Sequence, residues 1–177
     1  MFKDIKVVEL ASVLAGPLVG TFFSELGAMV IKVENKTTGG DVTRNWKLPT
    51  EDESAPISAY YASANYKKEV ITRNLKDSID YEEVIQLIRD ADIVIQNFKP
   101  GDAKQLKLDY KTLSKINPQI IYGDIVGFEK GNPRAAFDVV LQAECGYMSM
   151  NGEKNAKPLK MPIAMIDVLA AHQMKEG

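Results

Sequence analysis

Apolar residues along this chain fall into two alternating rhythms: short runs rich in β-branched side chains, and longer segments whose apolar positions recur three and four apart. The run Ile5 to Leu10 (IKVVEL) predicts a strand, after which Gly16-Pro17 opens a helical segment, LVGTFFSELG, that Gly27 closes. Met29 to Glu34 (MVIKVE) predicts a second strand, followed by a polar, glycine-containing loop, NKTTGGDVTR. A tyrosine-rich helix (SAYYASAN) and a short apolar stretch around Val70 and Ile71 come next. Asp80 to Asp90 predicts a helix capped by Asp77 or Ser78, with acids in its first turn, Arg89 in its last and an apolar face of Val84, Ile85, Leu87 and Ile88. ADIVIQNF then predicts a strand, Pro100-Gly101 a turn, the residues up to Asn117-Pro118 a short helical pair, and QIIYGDIVGF a last strand.

This alternation, with strands that are near-continuous apolar runs, predicts an α/β fold: a Rossmann-like open, mostly parallel sheet with helices on both faces. Such sheets bind ligands beyond the carboxyl ends of their strands. The segments of interest are therefore SVLAGP, NKTTGGD, NFKPG and GFEKGNP, although each taken alone is also ordinary turn chemistry.

Composition narrows the function. The 177 residues are 45% hydrophobic and 26% charged with a net charge of -2, which suits one compact core. The basic residues are scattered, so neither nucleic acid nor an anionic membrane is an expected partner. A single cysteine, Cys145, excludes an intramolecular disulfide and a cysteine-rich metal site, and its place in VVLQAECGYMSM predicts a small buried filler. The opening MFKDIKVVEL has acids where a secretion signal has its apolar run, and no stretch approaches a membrane span; a cytoplasmic location is expected.

Standard catalytic motifs are missing. No G-x-G-x-x-G follows the first strand, and neither G-x-x-x-x-G-K-[ST] nor G-x-S-x-G occurs. His172 is the only histidine, which rules out a multi-histidine metal site. What remains is a carboxylate. Asp167 is the one ionisable group between Met161 and Ala171, in MPIAMIDVLAAHQM. If a helix starts after it, Asp167 is an N-cap. If Pro162 lies in the first turn, Asp167 is too far inside to cap and has Ala164, Ala170 and Ala171 beside it, leaving room for a ligand next to a carboxylate able to act as a nucleophile. The spacing leaves both readings open.

The succession VVELASVLAGPLVGTFFSELGAMVIKVE, GGDVTR, SAYYASANYKK, DADIVIQNFKPG, LDYKTLSKINPQIIYGDIVGFEKGNP and FDVVLQAECGYMSMNGE resembles the N-terminal half of the family III coenzyme A transferases, the group that includes formyl-CoA transferase, carnitine CoA-transferase and the α-methylacyl-CoA racemases. The resemblance spans essentially all 177 residues and implies an N-terminal CoA-binding domain acting on acyl-CoA and a carboxylic acid, with CoA as substrate and no metal. It implies that Asp167 is the nucleophile, forming an aspartyl mixed anhydride and then an aspartyl-CoA thioester. It further implies CoA contacts at Val13, Leu14, Ala15, Asn35, Asn65, Lys68, Asn97, Phe98 and Lys99, with the lysines as point charges for phosphate, adenosine contacts at Gln105 and Leu106, and a place for Phe137 at the site.

Four positions depart from the family pattern. Leu14 stands where formyl-CoA transferase has a glutamine, and Asn35 and Gln105 replace basic residues, which weakens two phosphate contacts. Phe137-Asp138 stands where racemases have a catalytic histidine before the aspartate; phenylalanine exchanges no proton, which disfavours the racemase branch. Family enzymes are more than twice this length, with a second domain and interlocked homodimers. That second domain and the C-terminal return are absent from these residues, so the alternative expectation is a non-catalytic module that binds CoA or a partner.

Overall fold

The computed structural model describes residues 1–129 and 131–177. Five parallel strands form one sheet in the order β3-β2-β1-β4-β5. They are β1 (Lys6–Glu9), β2 (Met29–Asn35), β3 (Glu69–Arg73), β4 (Ile93–Gln96) and β5 (Ile121–Asp124). β1, β4 and β5 are predicted strands trimmed at their ends, β2 is the predicted strand with Asn35 added, and β3 forms from the short apolar stretch around Val70 and Ile71.

Successive residues of a strand point to opposite faces, and that alternation splits the core in two. Val7, Val30 and Ile95 face α1 (Ala15–Glu25) and α8 (Met165–Glu176), together with Val19 and Ala171. Val8, Val33 and Val94 face α3 (Ser78–Arg89) and α5 (Tyr110–Ile116), packing on Val84, Ile85, Ile88 and Leu113. Each such leucine or isoleucine buried fully contributes about 1.5–3 kcal/mol. α3 starts as its sequence dictates: the Asp77 carboxylate accepts the N–H of Ile79 at 3.0 Å and of Asp80 at 3.1 Å. Short helices α2 (Ala59–Ala64), α4 (Asp102–Gln105), α6 (Asp138–Glu144) and α7 (Tyr147–Met150) lie in the connections.

Strand order reverses between β1 and β4, because β2 lies on one side of β1 and β4 on the other. At the carboxyl end of this pair Asn97 spans the gap, its Oδ1 accepting the Ser12 N–H at 2.9 Å and its Nδ2 donating to the Ser12 carbonyl at 2.8 Å. This switch point is where an open α/β sheet offers a crevice. No helix among the described residues is long and apolar enough to cross a membrane.

Two expectations change. Cys145 is exposed rather than buried, because α6 stops at Glu144 and the cysteine caps its outer end. Asp167 is neither an N-cap nor deep in a helix begun by Pro162: α8 starts at Met165, after Ala164, and Asp167 is its third residue.

Candidate active site

α8 runs beside α1. Met174, near its C-terminus, touches the position where a Cβ would stand on Gly123 of β5, and the Lys175 ammonium lies 5.5 Å over the Phe22 ring near the end of α1. The N-terminus of α8, with Asp167, is thereby set at the same end of the sheet as the N-terminus of α1. Ala171, fully buried against α1 and the sheet, fills core space. One of the alanines expected to line a pocket is thus a packing residue.

The start of α8 is tied down from a distance. Asp138, first residue of α6, accepts the N–H of Ile166 at 2.7 Å and of Asp167 at 3.3 Å on its Oδ1. One turn on, the buried Gln142 accepts the Met161 N–H at 2.7 Å and donates to the Ile163 carbonyl at 3.1 Å. With these contacts α6 supplies the cap that the local sequence lacks. Nothing among the described residues donates a hydrogen bond to the Asp167 carboxylate. Burial, and then the charge of Asp138, push its pKa up to about 6. A carboxylate so placed is mostly ionised at neutral pH and poorly solvated, which favours nucleophilic attack.

Tyr60 of α2 belongs to the same neighbourhood. Its hydroxyl pKa is raised by burial and then by the charges of Asp167, Asp138 and Asp41, and its ring meets Trp46 edge-on at 5.3 Å. Phe137, immediately before Asp138, is 62% exposed.

The residues expected to contact CoA divide into two groups. Val13, Leu14 and Ala15 form the turn from β1 into α1, at the switch point beside Asn97. Leu14 and Ala15 are buried, so the turn offers backbone, and among the described residues no side chain caps α1. Phe98 is anchored by its N–H to the Gln96 side chain at 2.6 Å, with Lys99 exposed beyond it. Gln105 and Leu106 line an open groove of about 660 Å³ with Leu75, Lys76, Tyr81 and Lys107. Asn35 is exposed at the end of β2, its side chain capping the following turn through the Thr37 N–H at 2.9 Å.

Asn65 and Lys68 point the other way. The Lys68 side chain is fully buried, with Nζ 2.7 Å from Glu9 Oε2 as a charge contact without hydrogen-bond geometry. It donates to the carbonyls of Pro17 at 2.8 Å and Ala64 at 2.7 Å and to Asn65 Oδ1 at 3.1 Å. The resemblance implies a point charge for phosphate here; the structure shows the Lys68 ammonium paired inside the fold. Asn65 spends its amide on the Tyr61 carbonyl at 2.9 Å.

Two buried charge networks escape a hydropathy reading. Glu9, Lys32, Asp41 and Lys68 form one behind the β1 turn. Glu34 holds Arg44 at 2.7 Å and 3.1 Å and the Tyr61 hydroxyl at 2.6 Å in the other; burial of Glu34 opposes its ionisation, but these bonds win and lower its pKa. The available signal was charged residues inside apolar strand runs, Glu9 in IKVVEL and Lys32 and Glu34 in MVIKVE.

Residues 2–175 match the family described as CoA-transferase family III, and the chain belongs to that family. It is 41% identical over 172 residues to a succinate–glutarate CoA-transferase of Agrobacterium fabrum, covering 94% of this chain and 43% of that protein. It is 35% identical over 169 residues to the human succinyl-CoA:glutarate CoA-transferase, covering 94% of this chain and 38% of the relative. A CAIB/BAIF family protein from Brucella suis superposes with a TM-score of 0.88 at 38% identity, over 98% of this chain and 48% of that one. The chain thus spans less than half the length of these relatives.

Proposed function

We propose that this chain carries the CoA-binding and nucleophile-bearing part of an acyl-CoA:carboxylate CoA-transferase. The observation that carries the reading is Asp167: a half-buried carboxylate with no hydrogen-bond donor among the described residues, pKa about 6, at the start of a helix that another element holds in place. Its neutral-pH form is the anion that attacks.

In the first step an Asp167 oxygen adds to the acyl carbonyl and the C–S bond breaks, giving a mixed anhydride and the CoA thiolate. The thiolate then attacks the aspartyl carbonyl, forming an aspartyl-CoA thioester and releasing the donor carboxylate. The acceptor carboxylate displaces the thiolate to give a second anhydride, and the thiolate takes the acceptor acyl group and restores the Asp167 carboxylate. Each intermediate is covalent, which divides one difficult exchange into easier steps. The Val13–Ala15 turn and the NFKPG segment follow β1 and β4 at the switch point, where an open α/β sheet places its ligand, and the groove at Gln105 and Leu106 suits the nucleotide end. The names of the relatives make succinyl-CoA and glutarate the first pair to try.

The test is to mix the protein with succinyl-CoA and isotopically labelled glutarate and follow labelled glutaryl-CoA by mass spectrometry, with a hydride trap for an aspartyl thioester. Asp167→Asn should abolish both signals. Exchange that survives this substitution removes Asp167 from the mechanism. A second reading is favoured by the apolar surface around α6 to α8, where Met150 is 74% and Ile163 53% exposed: a module that binds CoA and needs further polypeptide for turnover. CoA binding without exchange would select it.

A further inference from the structure

Val13 is held in the left-handed backbone region at φ 69°, a conformation that a β-branched side chain avoids because its Cβ crowds the backbone. Strain of this kind persists only where the surroundings enforce it. Here the enforcement is a set of side chains.

The Val13 N–H donates to Asp41 Oδ2 at 3.0 Å. The same oxygen lies 3.1 Å from Lys32 Nζ, and both side chains are fully buried. Lys32 also donates to the Ala11 carbonyl at 2.8 Å and to Glu9 Oε1 at 2.9 Å, while the second Glu9 oxygen faces Lys68. Lys32 therefore grips the turn on both sides, directly at Ala11 and through Asp41 at Val13. Asn97 takes both backbone polar groups of Ser12 between them. Three successive residues after β1 have backbone groups fixed by side chains rather than by the sheet ladder.

Asp41 is itself rigid. Its other oxygen accepts the Thr43 N–H at 3.1 Å and the Thr43 hydroxyl at 2.8 Å, and its own N–H donates to Glu34 Oε2 at 3.1 Å. Burial opposes its ionisation, but Lys32 and these bonds keep its pKa below the usual carboxylate range. Gly20 of α1 makes room for the group: a Cβ there would stand 1.8 Å from Glu9 Oε2. Two acids and two lysines balance in formal charge, which so deeply buried a cluster requires.

We propose that the buried quartet Glu9, Lys32, Asp41 and Lys68 is a positioning device that locks Val13 left-handed and so aims the backbone of Leu14 and Ala15 at the acyl-CoA crevice, with Asp41 as the positioning residue. The proposal rests on the CoA reading for its ligand and on nothing else for its geometry. Release of Val13 lets the chain relax to negative φ, which turns the Leu14 and Ala15 amides away from the crevice. Glycine at position 13 adopts the left-handed form without enforcement.

The experiment has two arms on the 177-residue chain. Amide hydrogen exchange reads the lock directly: Asp41→Asn should speed exchange at Val13 on the order of tenfold or more while Leu10, bonded to Ile95, stays protected. Unchanged exchange at Val13, or equal loss at Leu10, overturns the proposal. Calorimetric titration with CoA reads the consequence. Asp41→Ala and Asp41→Asn should weaken binding on the order of tenfold, and adding Val13→Gly to either should recover most of the loss. A merely structural role predicts no recovery, and that result also overturns the proposal. If the unaltered chain binds no CoA, the functional reading fails, and the exchange arm alone decides the lock.

Discussion

Asp138 caps the helix on which Asp167 rides: its Oδ1 accepts the N–H of Ile166 at 2.7 Å and of Asp167 itself at 3.3 Å, 29 residues further along the chain. The capping group is also a like charge beside the Asp167 carboxylate, and it adds to burial in raising that pKa. Asp138→Asn keeps an oxygen for the cap and removes the charge. Asp167 should then titrate below about 6, as followed by carboxyl NMR. Asp138→Ala removes the cap as well and should cost about 1 kcal/mol in denaturant unfolding.

Asp167 should make the protein less stable at neutral pH than its neutral mimic. Its folded pKa of about 6 lies above the usual aspartate value, so the folded state binds the proton more tightly than the unfolded chain does. That advantage is complete below about pH 4 and is lost as pH rises through 6. Asp167→Asn should therefore match the parent protein at low pH and exceed it at pH 7–8 by about 1–2 kcal/mol, allowing for solvent screening of a partly exposed group. Thermal melts across pH check this; a less stable Asn variant at pH 8 contradicts it.

Gly20→Ala should be severely destabilising despite lying in a helix, where alanine normally improves on glycine. Its Cβ would stand 1.8 Å from Glu9 Oε2, so Glu9 must leave Lys68 and Lys32 with a broken partner. Breaking a buried pair costs about 3–5 kcal/mol. Urea unfolding should show a large drop in midpoint with an unchanged slope.

Lys68 and Lys99 should separate cleanly. Lys68→Met strips a charge from the interior and should lower stability by about 3 kcal/mol or more. Lys99→Ala removes an exposed charge next to the crevice and should change stability by less than about 0.5 kcal/mol while weakening CoA binding. Parallel melting and titration of the two variants distinguishes the roles; a Lys68 variant that melts normally and loses only salt-dependent CoA affinity would restore its role as a phosphate contact.

Much of the fold was legible because its determinants are local. Asp77 caps α3 two and three residues ahead, and Val84, Ile85 and Ile88 bury at helical spacing, so pattern and outcome coincide. The site was legible only in part. Asp167 stands out by being a lone carboxylate among apolar neighbours, but what caps its helix is Asp138, too far along the chain for any local signal. Lys68 stands among the CoA contacts the resemblance implies, and nothing local shows that its partner Glu9 comes from the first strand, while Glu9 and Lys32 pair through the register of β1 on β2. Charges inside apolar runs lower a strand's hydropathy without saying that they meet.

The neutrality of the quartet reaches beyond this one chain. The side chains of Glu9, Lys32, Asp41 and Lys68 are closed off from solvent, so a change of sign or length at one of them is tolerated only when another changes with it. Their history should be one of joint replacement. A descendant lineage that loses Lys32 should show a matching loss among the two acids, and Gly20 should gain a side chain only where Glu9 has been shortened.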